Sequence, residues 1–367
     1  MEKNRLIDGL AEGTLSRRNI LKGLSALGIG VAMVPYVPGR ARAAEEASLF
    51  TWEGYEVPEL HQEYVKKHGT SPKFPIFADE DEAFQKMRAG FTPDLAHPCT
   101  YNVPRWRDAG LLQPVDTSRL SRWGDVISSL KTIKGTQKDG KQWFVPWDWG
   151  NTSILYRTDL VDIEEESWGL MWDERYKGRL STFGSIDETV VYAAIYAGVD
   201  PWDMSDADLA KVRDLLKKQR PLIRFYAEDE AGIEQAMASG EIVAASTWNS
   251  AAATLKGEGV PVKFMNPKEG IMTWVCGFVL HKEAANVDKA YDLIDAMLAP
   301  EAGVFMVTDY GLGHSNAKTF EMAGEEAIQA AGLSRDAEAF LKKGVFSDQF
   351  KDRDVVTTMF EEVKAGM

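Results

Sequence analysis

Cysteine, histidine and positive charge are all scarce in this sequence of 367 residues. Its two cysteines are too few for a disulfide scaffold or for a Cys-rich zinc or iron–sulfur site. The five histidines are scattered, and no two of them stand at the spacing of metal ligands. Lys and Arg number 42 against 56 Asp and Glu, and the resulting net charge of −14 argues against a general nucleic-acid binder.

The signatures of common enzymes are also absent. The sequence has no Gly-x-Ser-x-Gly elbow, no His-Glu-x-x-His helix, no Walker loop and no Gly-x-Gly-x-x-Gly after a predicted strand. His97 and Cys99 stand near one predicted strand end, where an imidazole could activate a thiol nucleophile. A packed thiol beside a surface imidazole is the simpler interpretation. We therefore expect no enzymatic activity, no metal and no cofactor.

The N-terminal segment has the features of an export signal. Ser16-Arg17-Arg18-Asn19-Ile20-Leu21-Lys22 contains the paired arginines of a twin-arginine signal. An apolar run over residues 24–37 follows, which is too short to span a bilayer as a stable helix. Ala41-Arg42-Ala43 then fits a cleavage site. We expect residues 1–43 to be removed and the protein to reach the periplasm by twin-arginine export, with an amphipathic N-terminal helix or a retained anchor as the alternatives.

The rest of the chain is predicted to be an α/β protein with two lobes. It alternates short apolar runs with helical patterns and contains no Pro/Gly-rich linker. Its length exceeds that of one ordinary core, which predicts two lobes. Because no linker separates them, the chain is expected to cross between the lobes along 144–155 and 273–280. The first predicted lobe comprises 44–150 plus 274–318, and the second comprises 151–273 plus 319–367. Other predicted elements are strands at 47–51, 73–77, 94–96 and 242–247, and helices at 58–68 and 80–89.

Aromatic residues concentrate at the ends of the predicted strands. In open α/β sheets, ligands bind beyond the carboxyl ends of strands. A single tryptophan is more often part of a core than of a site, but a set of seven aromatics indicates a cleft that holds a cation by cation–π contact. The seven residues are Trp52, Tyr55, Tyr101, Trp147, Trp149, Trp248 and Trp274.

Several short segments, in a shared order, resemble the periplasmic polyamine-binding proteins, the spermidine and putrescine receptors of ABC importers. They are Phe50-Thr51-Trp52-Glu53-Gly54-Tyr55, Asp94-Leu95-Ala96-His97-Pro98-Cys99-Thr100-Tyr101, Trp149-Gly150, Trp172-Asp173-Glu174-Arg175-Tyr176-Lys177-Gly178, Thr247-Trp248-Asn249 and Asn266-Pro267-Lys268-Glu269-Gly270. The resemblance runs through nearly the whole chain after residue 43. It implies a two-lobe, type II periplasmic-binding-protein fold with hinge strands and a ligand in the cleft, and it implies a membrane permease and an ATPase as partners. We expect a monomer.

The resemblance implies that most of the aromatic contacts to the ligand are kept. Trp52, Tyr55, Tyr101, Trp248 and Trp274 fall on family positions that stack along the polyamine, and Trp149 lies in the matching crossing strand.

The carboxylates of the family match less well. Gly54 and Cys276 stand where the family has acidic residues, Ser185 replaces one acid of a pair, and Glu188 keeps the other. A late tyrosine of the family is Leu312 here. Asp148 is an acid gained between Trp147 and Trp149.

These losses suggest a change of ligand. A primary ammonium has three N–H donors, and each buried donor without an acceptor costs roughly 1–3 kcal/mol. A methylated onium has no such donor, and an aromatic cage can bind it by cation–π contact. Our main hypothesis is therefore a small cation or zwitterion such as glycine betaine, choline, trimethylamine N-oxide or dimethylsulfoniopropionate. The predicted ligand-binding residues are Trp52, Tyr55, Tyr101, Trp147, Asp148, Trp149, Ser185, Glu188, Trp248 and Trp274.

Three alternatives remain open at this point. Asp148, Glu188 and Glu53 could replace the lost acids, and the ligand would then be putrescine or spermidine. A metal receptor of the same architecture would need several oxygen ligands, often paired tyrosines, and no Tyr-Tyr pair occurs. An exported enzyme would need a cofactor motif that the sequence does not show.

Cys99 and Cys276 could form a disulfide in the periplasm, but the sequence does not show whether they meet.

Overall fold

A mixed β-sheet of eleven strands organises residues 46–367, the part of the chain that this computed structural model describes. The strands are β1 (Leu49–Phe50), β2 (Leu95–Ala96), β3 (Leu112–Gln113), β4 (Gln137–Lys138), β5 (Lys141–Gln142), β6 (Val145–Arg157), β7 (Leu180–Phe183), β8 (Ile223–Ala227), β9 (Ala244–Trp248), β10 (Val262–Phe264), β11 (Ile271–His281), β12 (Gly313–His314) and β13 (Gly344–Phe346). Strands β4 and β5 form a separate hairpin.

The α-helices of this part of the chain alternate with the strands, as expected for an α/β protein. They are α1 (Gln62–His68), α2 (Glu80–Arg88), α3 (Val103–Asp108), α4 (Ile186–Ala197), α5 (Asp206–Gln219), α6 (Glu230–Ser239), α7 (Ser250–Gly257), α8 (Val287–Met297), α9 (Pro300–Asp309), α10 (Lys318–Met322), α11 (Glu325–Ala330), α12 (Ala337–Leu341) and α13 (Arg353–Ala365). None of the described helices is both long and apolar enough to traverse a bilayer.

The two longest strands, β6 and β11, lie side by side in the sheet, whose main order is β1-β2-β11-β6-β9-β7-β8. They run antiparallel, with Trp274 opposite Gly150. Strands β1 and β2 pair in parallel on one side, and β7 pairs in parallel with both β8 and β9 on the other. The long strands thus join two parallel portions of the sheet, and the two predicted crossing segments are confirmed as strands.

Strands β1, β2 and β9 and helix α2 form at the predicted positions, whereas the predicted helix over 58–68 is a 3-10 turn at Pro58–Leu60 followed by α1. Helix α5 begins with a capping box in which Ser205 and Asp208 bond each other's backbone N–H groups. The predicted strand at 73–77 is wrong as a regular strand, because the chain makes only single bridges there, through Lys73 and Ile76. Pro75 lies between them and has no N–H to donate to a ladder.

Apolar side chains from both parallel portions of the sheet pack into buried clusters. Phe50, Trp106 and Phe144 belong to one cluster near β1 and β2. Trp168 and Phe360 belong to another, in which the C-terminal helix α13 packs with α4 and α5. The α/β class is therefore confirmed, while the predicted lobe boundaries stay predictions. The expected signal, residues 1–43, lies outside the described residues.

Candidate functional site

A cavity of ≈ 540 Å³ lies where several parallel strands end. Its walls come from the segments that follow β1 and β2, from the segments that follow β7 and β8, from the end of β9, and from β6 and β11. Seven of the predicted residues line it, and their contact with a ligand stays a prediction: Trp52, Tyr55, Tyr101, Asp148, Glu188, Trp248 and Trp274.

Trp147 and Trp149 lie in the core and not at the cavity, which differs from their predicted place. Both side chains are fully buried. The Trp147 ring stacks on Phe278 with its N–H donated to a backbone carbonyl at 2.8 Å. The Trp149 ring lies against Gly313, where an added Cβ would come within 2.1 Å of it. Because each indole has a buried apolar partner and a satisfied N–H, these rings stabilise the fold rather than the cavity wall.

Ser185 also differs from its predicted role. It is exposed, and its hydroxyl accepts the backbone N–H of Asp187 at 3.1 Å. It is therefore the N-cap of α4, a position for which serine is strongly preferred. Its value to the site is indirect, because it fixes the first turn of the helix that carries Glu188.

Asp148 is part of a buried polar chain. Its Oδ1 lies 2.8 Å from Nε2 of His97, and its Oδ2 accepts the Tyr55 hydroxyl at 2.9 Å. Nδ1 of His97 lies 2.9 Å from the Thr51 hydroxyl. Both carboxylate oxygens therefore already have partners within the protein. Burial, with the nearby Asp148 charge, raises the pKa of Tyr55 well above its usual value, so its phenol stays protonated and donates.

Glu188 and Trp248 form a second polar contact of the cavity. The Trp248 indole N–H donates to Oε1 of Glu188 at 3.1 Å, and the Trp248 ring stacks on Phe183 at 4.9 Å. Oε2 of Glu188 is buried and has no close hydrogen-bond partner, and the Thr152 hydroxyl, which also lacks a close partner, lowers the pKa of Glu188 only against the larger effect of burial. Burial raises the pKa of Glu188 to about 7. Glu188 thus has an unused acceptor and, among residues 46–367, no ion-pair partner.

Tyr101 is held by an acid that the sequence analysis did not identify. Glu80, the first residue of α2, accepts the backbone N–H of Cys99 at 2.7 Å and bonds the Tyr101 side chain. Burial raises the pKa of Glu80 to about 7 and that of Tyr101 well above its usual value. Glu80 therefore orders the loop that brings Tyr101 to the cavity wall.

The cavity lining is acidic and carries no Lys, Arg or His. Its carboxylates are Glu53, Asp148, Asp187, Glu188, Glu230 and Asp348. Asp187 is paired with Arg353, and Asp348 with Lys134. A cavity with this lining favours a cationic occupant over an anionic one.

Several lining residues were missed by sequence reasoning. They are Cys99, Asp187, Trp202, Glu230, Ser250, Tyr310, Ser347 and Asp348. The run Glu228-Asp229-Glu230 looks like a solvated helix start, and Asp229 does cap α6. Its position directly after β8, at the same edge as Glu188 after β7, is the signal that could have identified Glu230.

Two glycines shape the aromatic wall. Gly54 has a φ of 91°, in the left-handed region, so a side chain here would strain the backbone. An acid at this position would therefore need a different local backbone conformation. A Cβ on Gly150 would lie 2.2 Å from the Trp274 ring, so the ring can occupy its place only over a glycine.

The two cysteines form a disulfide in the cavity wall. Cys99, after β2, is bonded to Cys276 on β11, across 177 residues of sequence, and both residues line the cavity. The bond lies next to a register shift between Cys276 and Gly277 in the pairing of β11 with β6. It ties the loop that carries Tyr101 to a central strand.

Removing this disulfide is expected to lower stability. Replacing Cys99 and Cys276 together by Ala should reduce the free energy of unfolding by about 2–4 kcal/mol, because the bond closes a long loop in the unfolded chain. Urea unfolding with and without a reducing agent measures this effect. The reducing agent should shift the midpoint of the unmodified protein and leave that of the double variant unchanged. Equal midpoints for the two proteins without reductant would contradict the prediction.

Comparison with known proteins identifies a family model and several relatives that this chain resembles. Residues 59–332 match the family model described as bacterial extracellular solute-binding protein. The putrescine/agmatine-binding protein of Pseudomonas aeruginosa is 28% identical over 75% of this chain and 78% of its own length. The putrescine-binding periplasmic protein of Escherichia coli is 26% identical over 94% of this chain and 98% of its own length.

The solved structures support the fold. The spermidine/putrescine ABC transporter substrate-binding protein of Streptococcus pneumoniae superposes with a TM-score of 0.78 at 22% identity, covering 88% of this chain and 99% of its own. This likeness shows a two-lobe, type II binding-protein fold. With the match to the family model over residues 59–332, it leads to one conclusion: the chain belongs to the bacterial extracellular solute-binding protein family.

Proposed function

We propose that the protein is the periplasmic substrate-binding subunit of an ABC importer and that its ligand is an aliphatic amine of the putrescine and spermidine class. The observation that carries this proposal is the acidic, aromatic cavity in which Glu188 has an unused acceptor and no cationic partner among the described residues. The permease and the ATPase would be its partners, and no catalytic step is required. We further propose a monomer that is exported by the twin-arginine route.

The amine fits because its N–H groups need the acceptors that the cavity offers. A buried carboxylate without a cation is costly, and an ammonium supplies both the opposite charge and the hydrogen-bond donors. The aromatic faces of Trp248, Trp52 and Trp274 suit the alkyl chain and the cation. Glu230 is a further carboxylate of the lining without a cationic partner among the described residues, so it can replace one of the lost acids. The names of the relatives point to the same ligand class.

A methylated onium is the second candidate because of one observation. On the wall formed by Tyr55, Trp274 and the Cys99–Cys276 disulfide, the buried acid is Asp148, and both of its oxygens already accept hydrogen bonds. A group without N–H donors would leave nothing unsatisfied there. The relatives do not favour this hypothesis, because their names refer to polyamines.

The proposal predicts a pH-dependent affinity for putrescine. An ammonium is bound most strongly when Glu188 is ionised. In the free protein the pKa of Glu188 is about 7, and so is the pKa of Glu230. The amine stays protonated over the same pH range. The affinity should therefore be full at pH 8 and fall about tenfold per pH unit below pH 7 for each carboxylate that must ionise. Isothermal titration calorimetry between pH 5.5 and 8 measures this dependence. No binding at pH 8 would contradict the proposed ligand, and a flat profile would contradict the role of Glu188.

A further inference from the structure

We infer that Glu230 forms a second cation subsite in the cavity, so that Glu188 and Glu230, two carboxylates of the same wall, each bind one ammonium group of the ligand. This inference rests on the proposed function and deepens it, because it says which carboxylate binds the second ammonium group of the ligand. It also assigns a ligand contact to a residue outside the matched aromatic segments.

Glu230 reaches the cavity because of its place in the fold. It is the first residue of α6, directly after β8, and Asp229 caps the helix by accepting the N–H of Gly232 at 2.8 Å. Strand β8 is parallel to β7, and α4 with Glu188 follows β7. The two glutamates therefore stand in the first helical turns after two neighbouring parallel strands, at the edge where ligands of such sheets bind.

The partners of Glu230 are neutral. The Ser250 hydroxyl lies 2.9 Å from both of its carboxylate oxygens, and the Thr247 hydroxyl lies 3.4 Å from Oε1. No Lys, Arg or His within residues 46–367 forms an ion pair with it. Burial raises its pKa to about 7, which reflects a negative charge that lacks a compensating cation.

The other acids of the lining are not equivalent to Glu230. Asp187 and Asp348 are neutralised by Arg353 and Lys134, and Asp148 is bonded to His97 and Tyr55. Glu53 is exposed to solvent, which compensates its charge. Glu188 and Glu230 are thus the two half-buried carboxylates of the lining for which the described residues provide no countercharge.

The two glutamates contact the same strand end at separate points. Glu188 accepts the indole N–H of Trp248, and Glu230 accepts the hydroxyl of Ser250, two residues further on. Phe183 stacks on Trp248, so the ring between these contacts is fixed. One ammonium at each carboxylate, with the alkyl chain along Trp248, satisfies both charges, whereas a single ammonium leaves one buried carboxylate without a countercharge.

The test uses two amines that differ by one ammonium group, 1,4-diaminobutane and 1-aminobutane. Their affinities for the purified protein and for the Glu230→Gln variant are measured by calorimetry at pH 8. We expect the unmodified protein to bind the diamine at least tenfold more tightly than the monoamine. Glu230→Gln should weaken diamine binding about tenfold or more and change monoamine binding less than threefold. Gln keeps the size of the side chain and an oxygen for Ser250, and thermal melting confirms that the variant is folded.

Glu234→Gln, one turn further along α6 and outside the cavity lining, is the control for the loss of a nearby charge, and both affinities should stay within threefold. The inference is overturned if Glu230→Gln leaves diamine binding within threefold, or if it weakens both amines equally. If the unmodified protein binds neither amine, the proposed function fails as well. Tight diamine binding that is indifferent to Glu230→Gln overturns the subsite alone.

Discussion

Replacing Glu188 by Gln is expected to weaken putrescine binding roughly 30- to 150-fold at pH 8. Glu188 offers a carboxylate oxygen without a partner, and a hydrogen bond to a charged group contributes about 1.5–3 kcal/mol, so a loss of about 2–3 kcal/mol corresponds to this range. Gln still accepts the indole N–H of Trp248, so the ring should stay in place. The dissociation constant from calorimetry or tryptophan fluorescence measures the effect.

The matched control is Glu326→Gln. Glu326 also stands in the first turn of a helix, α11, but it is exposed and lies outside the cavity lining. Glu326→Gln removes the same charge as Glu188→Gln but at a position outside the cavity. The dissociation constant for putrescine should therefore change less than twofold. Equal losses in the two variants would mean that the acidic character of the protein attracts the ligand and that Glu188 makes no specific contact.

Replacing Asp148 by Ala is expected to lower the free energy of unfolding by about 3–5 kcal/mol, even without ligand. His97 and Asp148 are buried and bonded at 2.8 Å, and removing one partner of such a pair leaves the other without compensation. The Tyr55 hydroxyl loses its acceptor in the same variant. Urea unfolding followed by circular dichroism gives the change in midpoint at constant slope.

Asp348→Ala is the control for this variant. Asp348 lines the same cavity, but its partner Lys134 is largely exposed, and such surface pairs contribute about 0–1 kcal/mol. A loss below 1 kcal/mol is therefore expected. If Asp148→Ala is as stable as the unmodified protein but binds putrescine much more weakly, Asp148 is a ligand anchor rather than part of the fold.

The sequence predicted the architecture well because the main strands of the fold are formed by continuous stretches of the sequence with a recognisable pattern of apolar residues. The segments 144–155 and 273–280 are long apolar-rich runs, and they form β6 and β11. Trp52, Tyr55, Tyr101 and Trp248 follow or end parallel strands, and that position alone brings them to one cavity. The predicted strand at 73–77 does not form a regular ladder, because Pro75 has no N–H to donate to it.

The polar partners in the site were not predictable in the same way. Whether Asp148 faces a ligand or a histidine depends on His97, which is 51 residues away and meets it only in the folded sheet. Trp147 and Trp149 have the same local sequence signal as Trp248, yet they pack in the core, because only tertiary neighbours decide which indoles are covered. Glu230 was not predicted because it belongs to the acidic run Glu228-Asp229-Glu230, which is typical of a solvated helix start.

Tryptophan fluorescence titration of the purified protein, freed of bound ligand by unfolding and refolding, tests the proposed ligand class most directly. Trp52, Trp248 and Trp274 line the cavity and should report its occupation. One series contains putrescine and spermidine, and the other contains glycine betaine, choline, trimethylamine N-oxide and dimethylsulfoniopropionate. We predict micromolar or tighter binding of an amine and no response to the methylated compounds at the same concentrations. Tight binding of a methylated compound with no response to either amine would contradict the proposed function.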